Sequence, residues 1–184
     1  MKVLLGVTGS VAATLTPKMA QALVDEKHEV RILATKHSLH FWDPKEIKDC
    51  KIFQDADEWP EKYVRGSPVL HIDLRNWADL LVIAPLSANT LAKLAAGMAD
   101  NLLTSVVRAW NRQKLVVMAP AMNTFMWNHP ATQEHLKKIY SWNYFLEVVN
   151  PISKTLACGE DGIGAMAPVE EIIKAIQSHP GGKI

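Results

Sequence analysis

Three short stretches of this chain are apolar or glycine at every position: Val3-Leu4-Leu5-Gly6-Val7, Leu80-Leu81-Val82-Ile83-Ala84 and Leu115-Val116-Val117-Met118-Ala119. Runs of this length without polar alternation describe strands buried on both faces, as in a parallel sheet covered by helices. Val30-Arg31-Ile32-Leu33-Ala34 adds a fourth strand, Phe145 to Val149 a late one, and Ile52 marks a short one in the irregular stretch from Asp43 to Pro68. Helical patterns lie over 11–27, 88–97, 101–110, 132–140 and 169–177. Strand and helix alternate, which predicts a Rossmann-like three-layer α/β/α sandwich with a mostly parallel sheet. Ligands of such sheets bind beyond the carboxyl ends of the strands, so the residues after each strand carry the functional reading.

The chain has 184 residues, which predicts one domain over 1–184. Twenty Lys and Arg against nineteen Asp and Glu leave a net charge of +1. Without a basic excess, nucleic acid is not an expected partner. The apolar runs are far short of the ~20 residues that cross a bilayer, so no membrane partner is expected. The run from Val3 to Leu15 is broken by Thr8-Gly9-Ser10 and lacks a cleavage site, so it reads as strand and turn, not an export signal. Cys50 and Cys158 are far apart and form neither a disulfide framework nor a zinc pattern. Together these suit a cytoplasmic protein. Residues 150–168 are rich in glycine and polar side chains and read as a long loop, and 181–183 as a short tail.

After the first strand comes Gly6-Val7-Thr8-Gly9-Ser10-Val11, which fails the dinucleotide fingerprint. The turn offers either an anion site or a plain helix cap at Ser10. The second strand ends in Ala34-Thr35-Lys36-His37-Ser38, with no acid for a ribose diol. That composition suits a mononucleotide with its phosphate between Ser10 and Ser38, unless Thr35 merely caps a helix. Ser87, Asn89 and Thr90 follow the strand ending at Ala84, more polar groups than one cap requires. Asn123 follows the strand ending at Ala119 and is flanked by Met122, Phe125, Met126 and Trp127. His71 and Asp73 read from spacing alone as a structurally satisfied histidine, a surface pair or a base; on a strand Asp73 would share a face with His71 and could orient it. No further ligand with metal spacing accompanies them, so no metal is expected. Cys158 in a Gly-rich loop is placed for delivery by a lid, and Cys50 for packing.

These segments resemble the 4'-phosphopantothenoylcysteine decarboxylases, flavin-containing cysteine decarboxylases, over nearly the whole chain. The matching segments are Gly9-Ser10-Val11-Ala12-Ala13, Val69 to Leu74, Pro85 to Leu91, Pro120-Ala121-Met122-Asn123-Thr124-Phe125-Met126-Trp127 and Ala157-Cys158-Gly159-Glu160-Asp161-Gly162. The pattern is similar to the single-function type without a fused synthetase domain. The resemblance implies FMN as cofactor, held by Gly9, Ser10, Val11, Ala12, Lys36, His37 and Ser38, with Phe41, Ser87, Ala88, Asn89, Thr90 and Ala121 around the rest of it. It implies His71 and Cys158 as catalytic residues, and Asn123, Ala157, Met166 and Thr155 as substrate contacts. Related sequences often carry a basic residue three before the clamp cysteine. Here that position is Thr155, with Lys154 one earlier. The resemblance also implies a homotrimer with sites near subunit interfaces.

The implied reaction oxidises the cysteine thiol to a thioaldehyde, loses CO2 and reduces the resulting ene-thiol, with no net redox change. His71 suits the oxidative half as a base or as a group positioning the carboxylate, and Cys158 the reductive half as proton donor. Rival readings are a peptidyl-cysteine decarboxylase, which would not require Cys158, and a flavin prenyltransferase, which the Pro-x-Met-Asn-x-x-Met-Trp match disfavours. A third is a non-enzymatic inhibitory subunit of a protein phosphatase, a type that carries long acidic extensions.

Overall fold

The apolar runs pair side by side in the computed structural model, which describes residues 1–59, 62, 64–155, 159 and 161–179. β1 (Lys2–Val7) lies at the centre between β2 (Glu29–Ala34) and β4 (Leu80–Leu86). β3 (Lys51–Gln54) extends one side, and β5 (Val116–Pro120) and β6 (Leu146–Val148) the other. The order is β3-β2-β1-β4-β5-β6 and every pairing is parallel. The chain therefore runs outward from β1 to one edge, then crosses to β4 and runs to the other. The point where direction reverses, between β1 and β4, is where such sheets form a ligand crevice.

Helices cover both faces, as the unbroken apolar strands require. Val3, Leu5 and Val7 pack in one core cluster with α1 (Thr16–Asp25) and α7 (Val169–Gln177). Leu4, Leu81 and Ile83 pack in the other with α2 (Leu70–Trp77), α3 (Ala88–Ala95), α4 (Leu102–Arg108) and α6 (Pro130–Tyr140). Leu4, Leu5, Leu81 and Ile83 are fully buried; truncating any to Ala costs about 2–5 kcal/mol. The short α5 (Thr124–Asn128) follows β5.

Four sequence expectations change. Helix 11–27 is divided into a 3-10 turn, Val11–Leu15, and α1, because Pro17 is pre-set for a helical first turn. The pattern at 132–140 begins earlier, at Pro130, capped by His129, whose Nδ1 accepts from Ala131 N. The run around His71 is helix α2, not a strand: Leu70, Leu74 and Trp77, three and four apart, pack on the core. Residues 150–168 are not one loop. They contain an antiparallel pair, β7 (Ile152–Thr155) and β8 (Asp161–Ala165). No helix among the described residues is long and apolar enough to cross a membrane.

Candidate active site

The strand ends around the reversal point are laced together by hydroxyl groups. Thr8, fully buried, donates from Oγ1 to Pro85 O at 2.8 Å and accepts from Ser87 N at 2.8 Å. Thr35 donates from its backbone N and from Oγ1 to Val7 O, each at 3.1 Å. Ser38, also fully buried, donates to Thr35 O at 2.7 Å. Sequence reading passed over Thr8, since a threonine beside a glycine looks like ordinary turn composition. Its signal is position: it is the first polar residue after a buried strand, where it must satisfy the backbone of the neighbouring strand end.

Beyond these strand ends lies an open cavity of about 500 Å³. Ser10, Val11, Ala12, Thr14 and Leu15 form one side; Ala121, Met122 and Asn123 the floor beyond β5; Lys154, Thr155, Gly164, Ala165 and Met166 the other side. The size and the mix of apolar wall with a few polar groups suit a small-molecule site. Of the expected residues, the cavity thus gathers Ser10, Val11, Ala12, Ala121, Asn123, Thr155 and Met166. Lys154 lines it too, and Thr155 spends its hydroxyl on Asp161 Oδ1 at 2.5 Å.

The motif after β5 shows why each type stands where it does. Met122 is buried beneath α6, where Thr132 meets its sulfur at 3.9 Å. Asn123 caps α5, its Oδ1 accepting from Met126 N at 2.8 Å, and its amide NH2 makes no hydrogen bond among the described residues. Trp127 turns into the core while Phe125 and Met126 face outward. Thr124 Oγ1 is buried without a hydrogen-bond partner among the described residues.

The remaining expected positions do not line the cavity. Gly9 presses on the loop after β2; a Cβ there would lie 2.7 Å from the His37 Cβ. Lys36 and His37 are exposed. Phe41 is half-buried, edge-on to His40 with ring centroids 5.3 Å apart. Ser87 caps α3, accepting from Thr90 N at 3.3 Å, and donates to Thr90 Oγ1 at 3.2 Å; Ala88 is half-buried and Asn89 exposed. Much of the hydroxyl excess after β4 therefore serves the cap. Ala157 and Cys158 lie outside the described residues.

His71 is on the other face of the sheet from the Val11–Leu15 turn, in the first turn of α2, and does not line the cavity. Asp73 is exposed and does not orient it, since residues two apart on a helix point to different sides. The partner is Glu58, whose Oε1 lies 2.6 Å from His71 Nδ1. Cys50 packs beside the core, where burial, with Asp49 adding to it, pushes its thiol up from the ordinary value, consistent with packing. No cluster of three or more potential metal ligands exists among the described residues.

A doubly covered parallel sheet with a mixed apolar and polar cavity beyond the carboxyl ends of β1 and β5 defines a Rossmann-like α/β protein. Residues 1–180 match the Flavoprotein family, and the chain belongs to that family. It is 46% identical over 178 residues to a phosphopantothenoylcysteine decarboxylase of Mus musculus, covering 96% of this chain and 86% of that one. It is 52% identical over 167 residues to the enzyme of that name from Oryza sativa subsp. japonica, covering 90% and 74%. Two solved structures are similar across 96% of this chain. A cysteine-to-serine mutant of PPC decarboxylase complexed with pantothenoylaminoethenethiol has a TM-score of 0.91 at 46% identity, with 96% of that chain covered. The FMN binding protein AtHal3 has a TM-score of 0.87 at 47% identity, with 95% covered.

Proposed function

We infer that this chain is an FMN-dependent carboxy-lyase. It converts 4'-phosphopantothenoyl-L-cysteine to 4'-phosphopantetheine and CO2 in coenzyme A biosynthesis. The observation that carries the reading is the likeness, over nearly the whole chain, to a decarboxylase whose bound molecule is an aminoethenethiol, the skeleton left when a cysteine loses its carboxylate and two hydrogens.

The residues present fit a flavin mononucleotide. No acid stands at the end of β2, and Ser10 with the backbone of the Gly9–Val11 turn offers hydrogen bonds to a phosphate. Val11, Ala12, Ala121 and Met122 supply apolar surface for a flat ring. Ser38, fully buried with its hydroxyl donated to Thr35 O, fixes the loop after β2 from which Lys36 and His37 would serve the phosphate end. Phe41 and Ser87 to Thr90 flank the remainder. When bound, FMN supplies the two-electron chemistry that oxidises and later re-reduces the sulfur-bearing carbon.

This chain's own groups bind, orient and move protons. The Asn123 amide holds the substrate's cysteine moiety. Lys154 offers an ammonium to an anionic group of the substrate, with Thr155 and Met166 lining the same cavity, and Ala157 belongs to the same reading as a substrate contact. His71 takes a proton or holds the carboxylate in the oxidative half, and Cys158 returns a proton in the reductive half. His71 does not line the cavity that Asn123 lines, which supports a homotrimer whose sites lie between subunits. Val11, Phe125 and Met126, respectively 50%, 73% and 48% exposed, are the apolar surface such contacts would cover. Residence in the cytoplasm belongs to the same reading.

Four measurements test it. Heat-released flavin should have the mass of FMN, and the substrate should yield CO2 and 4'-phosphopantetheine. Light scattering should give three times the chain mass. Mixing inactive His71→Asn and Asn123→Ser proteins, then exchanging subunits, should restore part of the activity. No restoration by fully exchanged mixtures would place each site within one chain.

A further inference from the structure

We propose that Glu58 is the positioning residue for His71, holding the ring in the tautomer and orientation that leave Nε2 free to accept a proton. The proposal rests on the decarboxylase reading and extends it to a residue that does not touch substrate.

Glu58 ends the 3-10 turn Asp55–Glu58 beyond β3. The turn is fixed at two points. Gln54 N donates to Asp57 Oδ2 at 2.7 Å, and Leu102 N, at the start of α4, donates to Asp55 Oδ1 at 3.1 Å. The acids of this short run thus have separate tasks: two anchor the turn, and the third reaches the histidine.

The Glu58 side chain is only 7% exposed, against 27% for His71. Its Oε1 lies 2.6 Å from His71 Nδ1. A carboxylate accepts and does not donate, so an imidazole paired with it carries its hydrogen on Nδ1, and the neutral ring has its lone pair on Nε2. The other oxygen, Oε2, is buried and receives no hydrogen bond from the described residues. Burying a carboxylate for one contact is a poor way to stabilise a fold. It is the arrangement that fixes which nitrogen of an imidazole is available for chemistry.

The test uses flavin-loaded protein with Glu58→Ala, Glu58→Gln and Glu58→Asp, and Asp73→Asn as control. Ring-nitrogen NMR, with His71 assigned by loss of its signals in His71→Asn, reads the tautomer directly. Wild type should show hydrogen on Nδ1, and Glu58→Ala should shift the ring toward Nε2–H. Decarboxylation kcat should fall roughly 10- to 100-fold in Glu58→Ala, less than the ~10²–10⁴ that the positioned acid–base group itself supplies. KM, flavin content and melting temperature should stay close to wild type. Glu58→Gln, close in shape but uncharged, should lose less, Glu58→Asp should recover part, and Asp73→Asn should match wild type. The proposal is overturned if kcat or the ring spectrum is unchanged in Glu58→Ala. It is equally overturned if activity falls only in step with lost flavin or lost fold in both Glu58→Ala and Glu58→Gln. A wild type that releases no CO2 would instead overturn the decarboxylase reading, and this proposal with it.

Discussion

The cavity has one wall grown out of the six-stranded sheet and another supplied by a two-stranded ribbon. On the sheet side, Thr8, Thr35 and Ser38 are buried and tie β1, β2 and β4 at their carboxyl ends. On the ribbon side, Ser153, Lys154 and Thr155 are exposed. A lone two-stranded ribbon is marginal in water, so its place depends on docking. Docking is concentrated where Met122 N donates to Gly164 O at 3.0 Å and where Gly162 and Gly164 face the start of α5. One wall is preorganised by redundant hydrogen bonds; the other is held by close approach at two glycines. The first suits a cofactor that stays, the second a substrate that must enter and leave.

The sharpest way to break that contrast is to undock the ribbon. A Cβ on Gly164 would lie 2.2 Å from the Met122 carbonyl oxygen, a backbone atom, and its φ of +142° disfavours any side chain. Gly164→Val should reduce decarboxylation ~100-fold or more, the scale of an ångström-sized misplacement at a site. The sheet should survive, so far-ultraviolet circular dichroism and flavin content should change little. Loss of flavin together with activity would show that both walls hold the cofactor.

Within the ribbon, Lys154→Met asks what this wall recognises. Lys154 lines the cavity, and the inferred substrate carries both a phosphate and a carboxylate. A charge-assisted hydrogen bond contributes ~1.5–3 kcal/mol, so KM should rise roughly tenfold or more with kcat less affected. Raising salt should weaken wild-type binding and leave the variant nearly indifferent. Equal KM values would place the anion elsewhere.

On the sheet side, Thr8→Val keeps the shape and deletes the hydroxyl. Pro85 O keeps a hydrogen bond from Thr8 N at 3.3 Å, but Ser87 N loses its acceptor. Leaving one buried donor unpaired costs ~1–3 kcal/mol. Urea unfolding should register that loss while KM for substrate hardly moves, the opposite of the pattern at Lys154.

The same contrast decides what could be read from sequence. The sheet wall was legible because strands buried on both faces leave unbroken apolar runs, and Leu80 to Ala84 has no other plausible reading. The ribbon was not: Ile152–Thr155 and Asp161–Ala165 have no fully buried face, so no alternation separates them from a loop. His71 is found through its segment but set on the wrong element, because Leu70 to Leu74 also alternates over five residues. Only the longer spacing Leu70, Leu74 and Trp77 reveals a helix. Glu58 was missed because an acidic run reads as solvated surface, and only folding shows which acid turns inward. The Pro120–Trp127 motif was recognised as a unit, but the division between Met122 and Trp127 inside and Phe125 and Met126 outside depends on packing against α6.

The smallest expected effect separates the two neighbours on the ribbon. Thr155 and Lys154 both line the cavity, yet their side chains are differently engaged. Thr155 Oγ1 already donates to Asp161 Oδ1 at 2.5 Å, across the pair that β7 and β8 form at that register. Its hydroxyl hydrogen is committed to the ribbon and cannot also be given to a substrate. Both partners are exposed, so water replaces the bond when it is lost, and the change in stability should stay within about 0.5 kcal/mol. Thr155→Val should therefore leave kcat and KM within roughly twofold of wild type, about what 0.4 kcal/mol allows at ~1.4 kcal/mol per factor of ten. Steady-state kinetics of Thr155→Val beside Lys154→Met decides the assignment. A KM raised tenfold in the threonine variant would mean that the hydroxyl leaves Asp161 when substrate binds, and that the ribbon rearranges around its ligand instead of receiving it as built.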